Sequence, residues 1–452
     1  MILVSHPTGN AFVRALLQGL ESIDELDSFH TTITSLREKG LPRWIDMGSS
    51  RRSFPVPDSK IQLAPAKEFV RLLAPKVGLS WLTLHESGWA SIDAVCRDLD
   101  ERVAQRIARR HQANQSLPYA VYSYEDCCSS TFEQAKRLGI KCFYELPIAY
   151  FETTQRLLAE ENERLPDWRV TLTGIEDSAE KLQRKRLEIS ASDVVVCPSE
   201  FVLNTLPADI RQRKTCIVSE FGTPQSSECV ATPREARTDN SRPQARTDNS
   251  RFLAPSDNSR SRPRSDNAPL RILFAGSMSQ RKGLADLFQA MKLIHRKDVE
   301  LVVMGSPIAP MSFYRSQLEE FTYESPRPHA EVLQLMRSCD VFVLPSIVEG
   351  RALVQQEAMS CGLPLLVTEN AGGGDLVELA KTGFLVPIRS PESLAAKIEW
   401  FADNRQATYE MGQLAILKAK ELTWERYVAR ILETILPEDS GSRSSFAQHK
   451  AI

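Results

Sequence analysis

The fold is decided most clearly by one stretch of the chain, Val341-Phe-Val-Leu-Pro-Ser-Ile-Val-Glu-Gly-Arg-Ala-Leu-Val-Gln-Gln-Glu-Ala-Met-Ser-Cys-Gly-Leu-Pro364. Its first four residues are apolar and end at Pro345, which is typical of a strand buried on both faces of a parallel sheet. Good helix formers begin near Ala352 and continue until Gly362 and Pro364, which stop a helix. The stretch therefore predicts a strand that leads through a short loop into a helix N-terminus.

Two glutamates flank the predicted helix start, Glu349 in the loop and Glu357 inside the helix. A helix N-terminus offers free N–H groups and about half a positive charge, so it binds phosphate. Glu357 lies roughly 7.5 Å further along the axis, which suits the two hydroxyls of a ribose. Glu349, on the other side of the phosphates, would meet sugar hydroxyls and positive charge developing at an anomeric carbon. Two solvated surface glutamates are the ordinary alternative.

The surrounding residues resemble the Glu-x7-Glu signature of retaining, nucleotide-sugar-dependent glycosyltransferases of family 4, which have the GT-B fold. The matching positions are Pro345-Ser346, Glu349-Gly350, Leu353-Val354, Glu357-Ala358-Met359 and Cys361-Gly362-Leu363-Pro364.

The resemblance implies an α/β chain of GT-B architecture, with two Rossmann-like domains facing each other across a cleft. It places Glu349 at the reacting sugar and Glu357 at the ribose, and it adds Gly350, Ala352, Leu353 and Val354 to the donor site. The family usually has Gly-Phe-Gly after the first Glu, where this chain has Gly350-Arg351-Ala352. We therefore expect Arg351 to add a cation beside the donor and to affect donor preference.

An earlier motif, Arg271-Ile-Leu-Phe-Ala-Gly276, predicts a strand that ends in a glycine turn. Arg281 and Lys282 follow it, at the carboxyl end of a parallel strand, where ligands of open α/β sheets bind. Two cations there can neutralise a diphosphate leaving group. This part resembles the strand-loop-Arg-Lys-Gly motif of the same family, which implies a donor site that includes Gly276 and a catalytic role for Arg281 and Lys282. A solvated pair is disfavoured because positive charge is unfavourable at a helix start.

The first half of the chain predicts a second α/β unit, with strands near residues 2–5, 120–123 and 193–199. The resemblance implies that this half binds the acceptor and that Gly9 and Asn10 approach the cleft. Relatives often carry a histidine near the reacting sugar, but the comparable stretch here has Glu145 instead. His85, which lies among aromatic residues, is the other polar candidate.

The composition argues against a nucleic-acid-binding, membrane-spanning or secreted protein. The 452 residues allow two or three domains. Lys plus Arg number 56 against 58 for Asp plus Glu, so there is no general electrostatic case for nucleic acid. The chain has no long apolar run and no basic start, so we expect neither a membrane span nor a signal peptide. Nine scattered cysteines predict reduced core thiols and a cytoplasmic location. The adjacent Cys127-Cys128 pair lacks metal-site spacing, and the resemblance implies no cofactor.

The predicted domain order has four parts. Residues 1–222 form the acceptor-side domain, and residues 269–436 form the donor domain, whose last helix crosses back. Between the two domains, residues 223–268 contain Asp-Asn at nine-residue intervals and lack the apolar side chains of a core, so we predict a disordered insert. After the donor domain, we predict a disordered tail at residues 437–452. Basic stretches at 102–110 and 181–186 adjoin acidic residues, which favours a solvated helix face over membrane association.

The favoured hypothesis is transfer of a sugar from a nucleotide diphosphate sugar to an unidentified acceptor, a glycan, a lipid or a small molecule. An epimerase or hydrolase on the same scaffold is the second hypothesis, because a fold does not fix a reaction. A catalytically idle sugar-nucleotide-binding subunit is the third, suggested by the missing histidine and by the altered Gly350-Arg351-Ala352. The presence of Arg281, Lys282, Glu349 and Glu357 argues against that third hypothesis.

Overall fold

The computed structural model describes residues 1–34, 52–172, 177–223 and 268–437. The first half contains a parallel sheet of seven strands, β1 (Ile2–Ser5), β2 (Leu26–Thr31), β3 (Ile61–Leu63), β4 (Ala120–Tyr124), β5 (Lys141–Glu145), β6 (Val194–Cys197) and β7 (Thr215–Val218). Their order is β3-β2-β1-β4-β5-β6-β7. The order reverses between β1 and β4, which creates a crevice at the carboxyl ends of these strands.

Helices cover both faces of this sheet: α1 (Ala11–Ser22), α2 (Pro65–Leu73), α3 (Ile92–Gln112), α4 (Ser129–Arg137), α5 (Phe151–Arg164), α6 (Ala179–Ala191), α7 (Glu200–Thr205) and α8 (Ala208–Arg213). The helix α1 shows why they pack there, since its large apolar residues recur at helical spacing and are buried, namely Phe12, Val13, Leu16, Leu17 and Leu20. The helix α3 begins where Ser91 Oγ accepts a hydrogen bond from Ala94 N at 3.1 Å.

The second half repeats the design with six parallel strands, β8 (Leu270–Ala275), β9 (Val299–Met304), β10 (Thr322–Glu324), β11 (Val341–Leu344), β12 (Leu365–Val367) and β13 (Gly383–Leu385). Their order is β10-β9-β8-β11-β12-β13, so β8 and β11 flank the point of reversal. The helices of this half are α9 (Leu284–Leu293), α10 (Met311–Gln317), α11 (His329–Arg337), α12 (Leu353–Ser360), α13 (Pro391–Asp403), α14 (Arg405–Glu421) and α15 (Trp424–Ile435).

The predicted α/β class with two parallel sheets is confirmed. The strand predicted at 341–344 is β11, whose four residues are buried, and the helix predicted from about Ala352 is α12. Most of the predicted insert and tail, residues 224–267 and 438–452, lies outside the described residues. No helix within the described ranges combines the length and the apolar composition that crossing a bilayer requires. Seven of the eight cysteines in those ranges are buried.

The last helix, α15, packs on the first half of the chain. Its apolar residues Val428, Ile431, Leu432 and Ile435 recur at helical spacing and belong to the same core as α1. Thr423 Oγ1 caps the helix by accepting a hydrogen bond from Arg426 N at 3.1 Å. The chain therefore returns to its first sheet after completing the second.

A segment of the first half packs in the opposite direction. Trp168, in a 3-10 helix that follows α5, is buried in the core of the second half. Its ring meets Phe313 edge-on with centroids 5.1 Å apart. Arg164, at the end of α5, donates to both carboxylate oxygens of Asp286 at 2.9 Å. Each half thus completes its core or its surface with a segment from the other half.

Candidate active site

The loops that follow β8 and β11 meet at the point where the strand order of the second sheet reverses. Arg281 Nη1 donates to Glu349 Oε2 at 3.0 Å, and Lys282 Nζ pairs with the same carboxylate oxygen. The backbone also joins the two loops, because Ile347 N donates to Arg281 O at 2.9 Å. The three residues predicted to be catalytic therefore form one cluster.

The electrostatics of this cluster favour an anion. Burial alone would raise the pKa of Glu349, but the charges and hydrogen bonds of Lys282 and Arg281 hold it below its usual range. Burial lowers the pKa of Lys282, although the attraction of Glu349 opposes this. Two cations and one carboxylate leave one net positive charge. The sequence predicted Glu349 on the opposite side of the phosphates from Glu357, and the structure adds that Glu349 pairs directly with Arg281 and Lys282.

The start of α12 lies directly beyond this cluster. Ala352 is its N-cap residue with extended backbone (φ −72°, ψ 104°), and no side chain caps the helix. The first N–H groups of a helix have no partner within it, and here Leu353 and Val354 supply them. The first turn contains no acidic residue. These N–H groups add partial positive charge on the side of the cluster where the sequence predicted phosphate.

Glu357 lies one turn further along α12, with 18% of its side chain exposed. Its Oε1 is 3.0 Å from Nε2 of His329, the first residue of α11. The histidine thus holds one oxygen of the predicted ribose-binding carboxylate. Gly276 follows β8 with φ 155°, and a side chain there would approach the stem of Lys282.

Arg351 is buried in a contact with the first half of the chain. Its side chain is completely buried, and Nη1 donates to Pro198 O in the first half and to Asp375 Oδ2, both at 3.0 Å. Burial lowers the pKa of Arg351, and the charges of Asp375 and Glu220 oppose this effect. The expected cation beside the donor is therefore a link between the two halves.

Gly350 lies very close to the first half of the chain. A Cβ atom there would lie 1.8 Å from Pro147 O, so only glycine fits. Ser199 Oγ donates to Gly350 O at 2.9 Å, and Glu200 N donates to Asp375 Oδ2 at 3.3 Å. We call these bonds and the Arg351 bonds the cross-cleft contact. It holds the loop that carries Glu349 against the first half of the chain.

The candidates in the first half are more scattered. Gly9 and Asn10 join β1 to α1; Gly9 O accepts a hydrogen bond from Arg14, and Asn10 is exposed. His85 is 46% exposed, and its Nε2 lies 3.2 Å from carboxylate oxygens of Glu86 and Asp177. One ligand atom from each of these three residues lies within 4.8 Å of the others. The carboxylate of Asp177 already pairs with the ammonium group of Lys181 at 2.7 Å, which neutralises its charge and weakens its attraction for a metal ion.

Glu145 is buried inside the first half. Tyr122 Oη donates to it at 2.6 Å, and Tyr427 Oη, from α15, donates at 3.1 Å. Burial raises the pKa of Glu145 to about 7, although the tyrosine hydrogen bonds lower it. The structure thus places this candidate at the end of β5, where it contacts α15 through Tyr427 and β4 through Tyr122.

Residues 255–417 match the family model for glycosyl transferases group 1. The matched range contains β8 to β13 and the whole cluster of Arg281, Lys282 and Glu349. D-inositol 3-phosphate glycosyltransferase from Paenarthrobacter aurescens (strain TC1) is 30% identical over 181 residues, which are 38% of this chain and 44% of that protein. The chain spans less than half the length of the curated relatives that it matches first.

Solved structures with a similar fold align with both halves of the chain. Sucrose-phosphate synthase from Thermosynechococcus elongatus has a TM-score of 0.63 and 15% identity, and the match covers 99% of each chain. HepE from Anabaena in complex with UDP has a TM-score of 0.57 and 14% identity, covering 96% of this chain and 99% of that one. The two Rossmann-like domains therefore have the GT-B fold.

Sequence reasoning within this GT-B fold missed the partners that arrive from distant parts of the chain. His329 is 28 residues before Glu357, and Pro198 is 153 residues before Arg351. Neither residue lies in a motif with a fixed spacing to its partner. The sequence did contain one signal, which is Arg351 itself. The family that the chain resembles usually has a phenylalanine at this position, and an arginine there needs a hydrogen-bond acceptor nearby.

Proposed function

We propose that this chain is a retaining glycosyltransferase that moves a sugar from a nucleotide diphosphate sugar to an unidentified acceptor. The observation that carries the proposal is the cluster of Arg281, Lys282 and Glu349 beside the open N-terminus of α12. The group 1 match over the same residues supports it. HepE, which has the same fold, has been crystallised with UDP and with UDP-glucose, which supports a nucleotide-sugar donor.

In this proposal the leaving diphosphate is stabilised by protein charge alone. Arg281 and Lys282 donate to its oxygens, and the N–H groups of Leu353 and Val354 bind it from the helix side. Lys282 is buried and Arg281 and Glu349 are only partly exposed, so water screens these charges less than it would on an open surface. No metal ion is required, because the two cations and the helix end supply the positive charge.

Glu349 and Glu357 position the donor. Glu357 accepts from the ribose hydroxyls, and His329 orients its carboxylate. Glu349 accepts from the sugar hydroxyls while it keeps Arg281 and Lys282 aligned. Departure and attack then occur on the same face of the sugar through an oxocarbenium-like state, with stabilisation of the leaving group contributing much of the rate.

The first experiment is calorimetric titration with UDP, GDP, ADP and dTDP. We expect one nucleotide to bind tightly and Glu357→Ala to weaken it. Arg281→Ala with Lys282→Ala should weaken binding about a hundredfold or more, because two charge-assisted hydrogen-bonding groups are lost. Lys292→Ala, an exposed lysine at the end of α9, is the control. Unchanged affinity or normal turnover in the double variant would rule out this donor site.

The stereochemistry is tested separately, once a donor is known. Nuclear magnetic resonance of the transferred sugar should give the same anomeric configuration as the donor. An inverted product would contradict the retaining mechanism, and conversion of the donor without any acceptor would favour the epimerase or hydrolase hypothesis.

A further inference from the structure

We propose that a pocket between α3, the edge strand β3 and its neighbour β2 binds a small molecule that carries phosphate groups. The cavity has a volume of about 780 Å³. That volume lies in the usual range for small-molecule sites. Its walls include Arg102, Arg106, Arg109 and Arg110 from α3, with Gln62 from β3 and His30 from β2. We call it the arginine pocket.

The arginine pocket carries positive charge that the protein only partly balances. None of the described residues that line it is acidic. Arg102 Nε donates to Asp98 at 2.9 Å, and Arg110 donates to both oxygens of Asp27 at 2.7 and 3.0 Å. Arg106 and Arg109 have no carboxylate partner within the described ranges. Two guanidinium groups are therefore available to an anion.

Of the other polar groups of the pocket, Gln62 can also donate to an anion, whereas His30 carries no charge. Arg106 Nη1 donates to Gln62 Oε1 at 2.9 Å, which occupies the carbonyl oxygen and leaves the amide N–H groups of Gln62 as donors. His30 is buried, and burial, followed by the charge of Arg106, lowers its pKa to about 3. His30 is thus neutral at pH 7. Planar guanidinium groups bind phosphate through paired hydrogen bonds, so phosphate is the matching chemistry.

The shape of the pocket distinguishes it from an ordinary basic helix face. The sequence alone favoured a solvated face for residues 102–110, whereas the structure sets these arginines around a recess. Leu63, with 44% of its surface exposed, forms part of the wall. An apolar wall beside guanidinium groups suits the organic part of a phosphate ester better than inorganic phosphate alone.

The arginine pocket is separate from the proposed donor site. It lies against the first sheet and shares no residue with the cluster at Glu349, which follows strands of the second sheet. The inference therefore does not depend on the proposed function. A phosphate ester here would be bound in addition to the nucleotide sugar.

The test is calorimetric titration of the full chain with inorganic pyrophosphate. The donor-site variant Arg281→Ala with Lys282→Ala is used as the background, so that binding reports on the arginine pocket. Adding Arg106→Gln and Arg109→Gln should weaken the remaining binding roughly tenfold or more. Both arginines are exposed, and thermal melting checks that the variant folds.

The matched control is Arg211→Gln with Arg213→Gln. It removes the same charge from two exposed arginines of α8, outside the pocket, and should leave pyrophosphate binding unchanged. Equal weakening by both pairs would show that only net charge matters and would overturn the inference, as would unchanged binding in the Arg106 and Arg109 variant.

A second arm identifies the source of the phosphate. Phosphatidylcholine vesicles with and without phosphatidic acid are sedimented with the same variants. Pyrophosphate binding without vesicle binding supports a soluble ester. Sedimentation with phosphatidic acid that is lost only in the Arg106 and Arg109 variant supports a lipid headgroup as the source.

Discussion

The substitution Glu145→Gln tests the buried carboxyl of the first half. Glu145 is held between Tyr122 and Tyr427, and its pKa is raised from 4.5 to about 7. A difference of one unit between the pKa values of the unfolded and folded chains corresponds to about 1.4 kcal/mol. Ionisation of Glu145 at high pH therefore lowers the free energy of unfolding by about 3 kcal/mol.

The sign follows from proton binding. Between pH 4.5 and about 7 the unfolded chain has lost the proton of Glu145 while the folded chain keeps it, so stability falls as the pH rises and levels off above about pH 7. Glutamine cannot ionise, so the stability of the variant does not fall with pH in this way. Its altered hydrogen bonds to the tyrosines have a cost that does not depend on pH. We therefore expect the variant to gain about 2 kcal/mol relative to the parent chain between pH 5 and pH 8.

The assay is urea unfolding at pH 5 and pH 8, followed by tryptophan fluorescence. The control is Glu133→Gln on α4, whose side chain is 65% exposed and whose effect should be the same at both pH values. If the difference between Glu145→Gln and the parent chain does not change with pH, the carboxyl ionises normally in the folded protein and the reasoning is wrong.

Three further predictions concern the contacts between the halves. Gly350→Ala should lower turnover strongly because its methyl group would collide with Pro147 O; Gly374→Ala, with open space around the added carbon, is the control, and equal activity of the two would contradict the close approach. Arg351→Met removes two hydrogen bonds of the cross-cleft contact, so we expect a larger radius of gyration in X-ray scattering and a donor KM raised roughly tenfold; an unchanged radius would refute the link. Trp168→Ala should lower the free energy of unfolding by about 3–5 kcal/mol, measured in urea, and a loss below about 1 kcal/mol would show that this ring is not part of the second core.

The sequence was most informative where a short motif follows a buried strand. Glu349 comes after β11 and Arg281 comes after β8, and these strands are neighbours in the sheet. Because the carboxyl ends of parallel strands lie at one edge, the loops had to meet. The predicted cluster could therefore be read from local patterns, although the pairing of Glu349 with Lys282 could not.

The missed features depend on packing between distant segments. Glu145 and Tyr427 are separated by 282 positions, and Arg351 and Pro198 by 153. A hydrophobic period reports which face of an element is buried, but it does not report which element covers that face. For this reason Arg351 was predicted to contact the sugar donor. Its hydrogen-bond acceptor, Pro198 O, lies in a turn that follows a strand of the other sheet.

The two segments that pack on the opposite half restrict how this protein can be divided. A fragment cut to the family-matched range 255–417 would lack Trp168 from the core of its own sheet and would end before α15. The first sheet, isolated at residue 222, would leave the apolar surface beneath α15 uncovered. In chimeras that exchange donor-binding halves between related enzymes, residues 164–172, which include Arg164 and Trp168, should therefore be exchanged together with the donor half, and α15 should stay with the acceptor half.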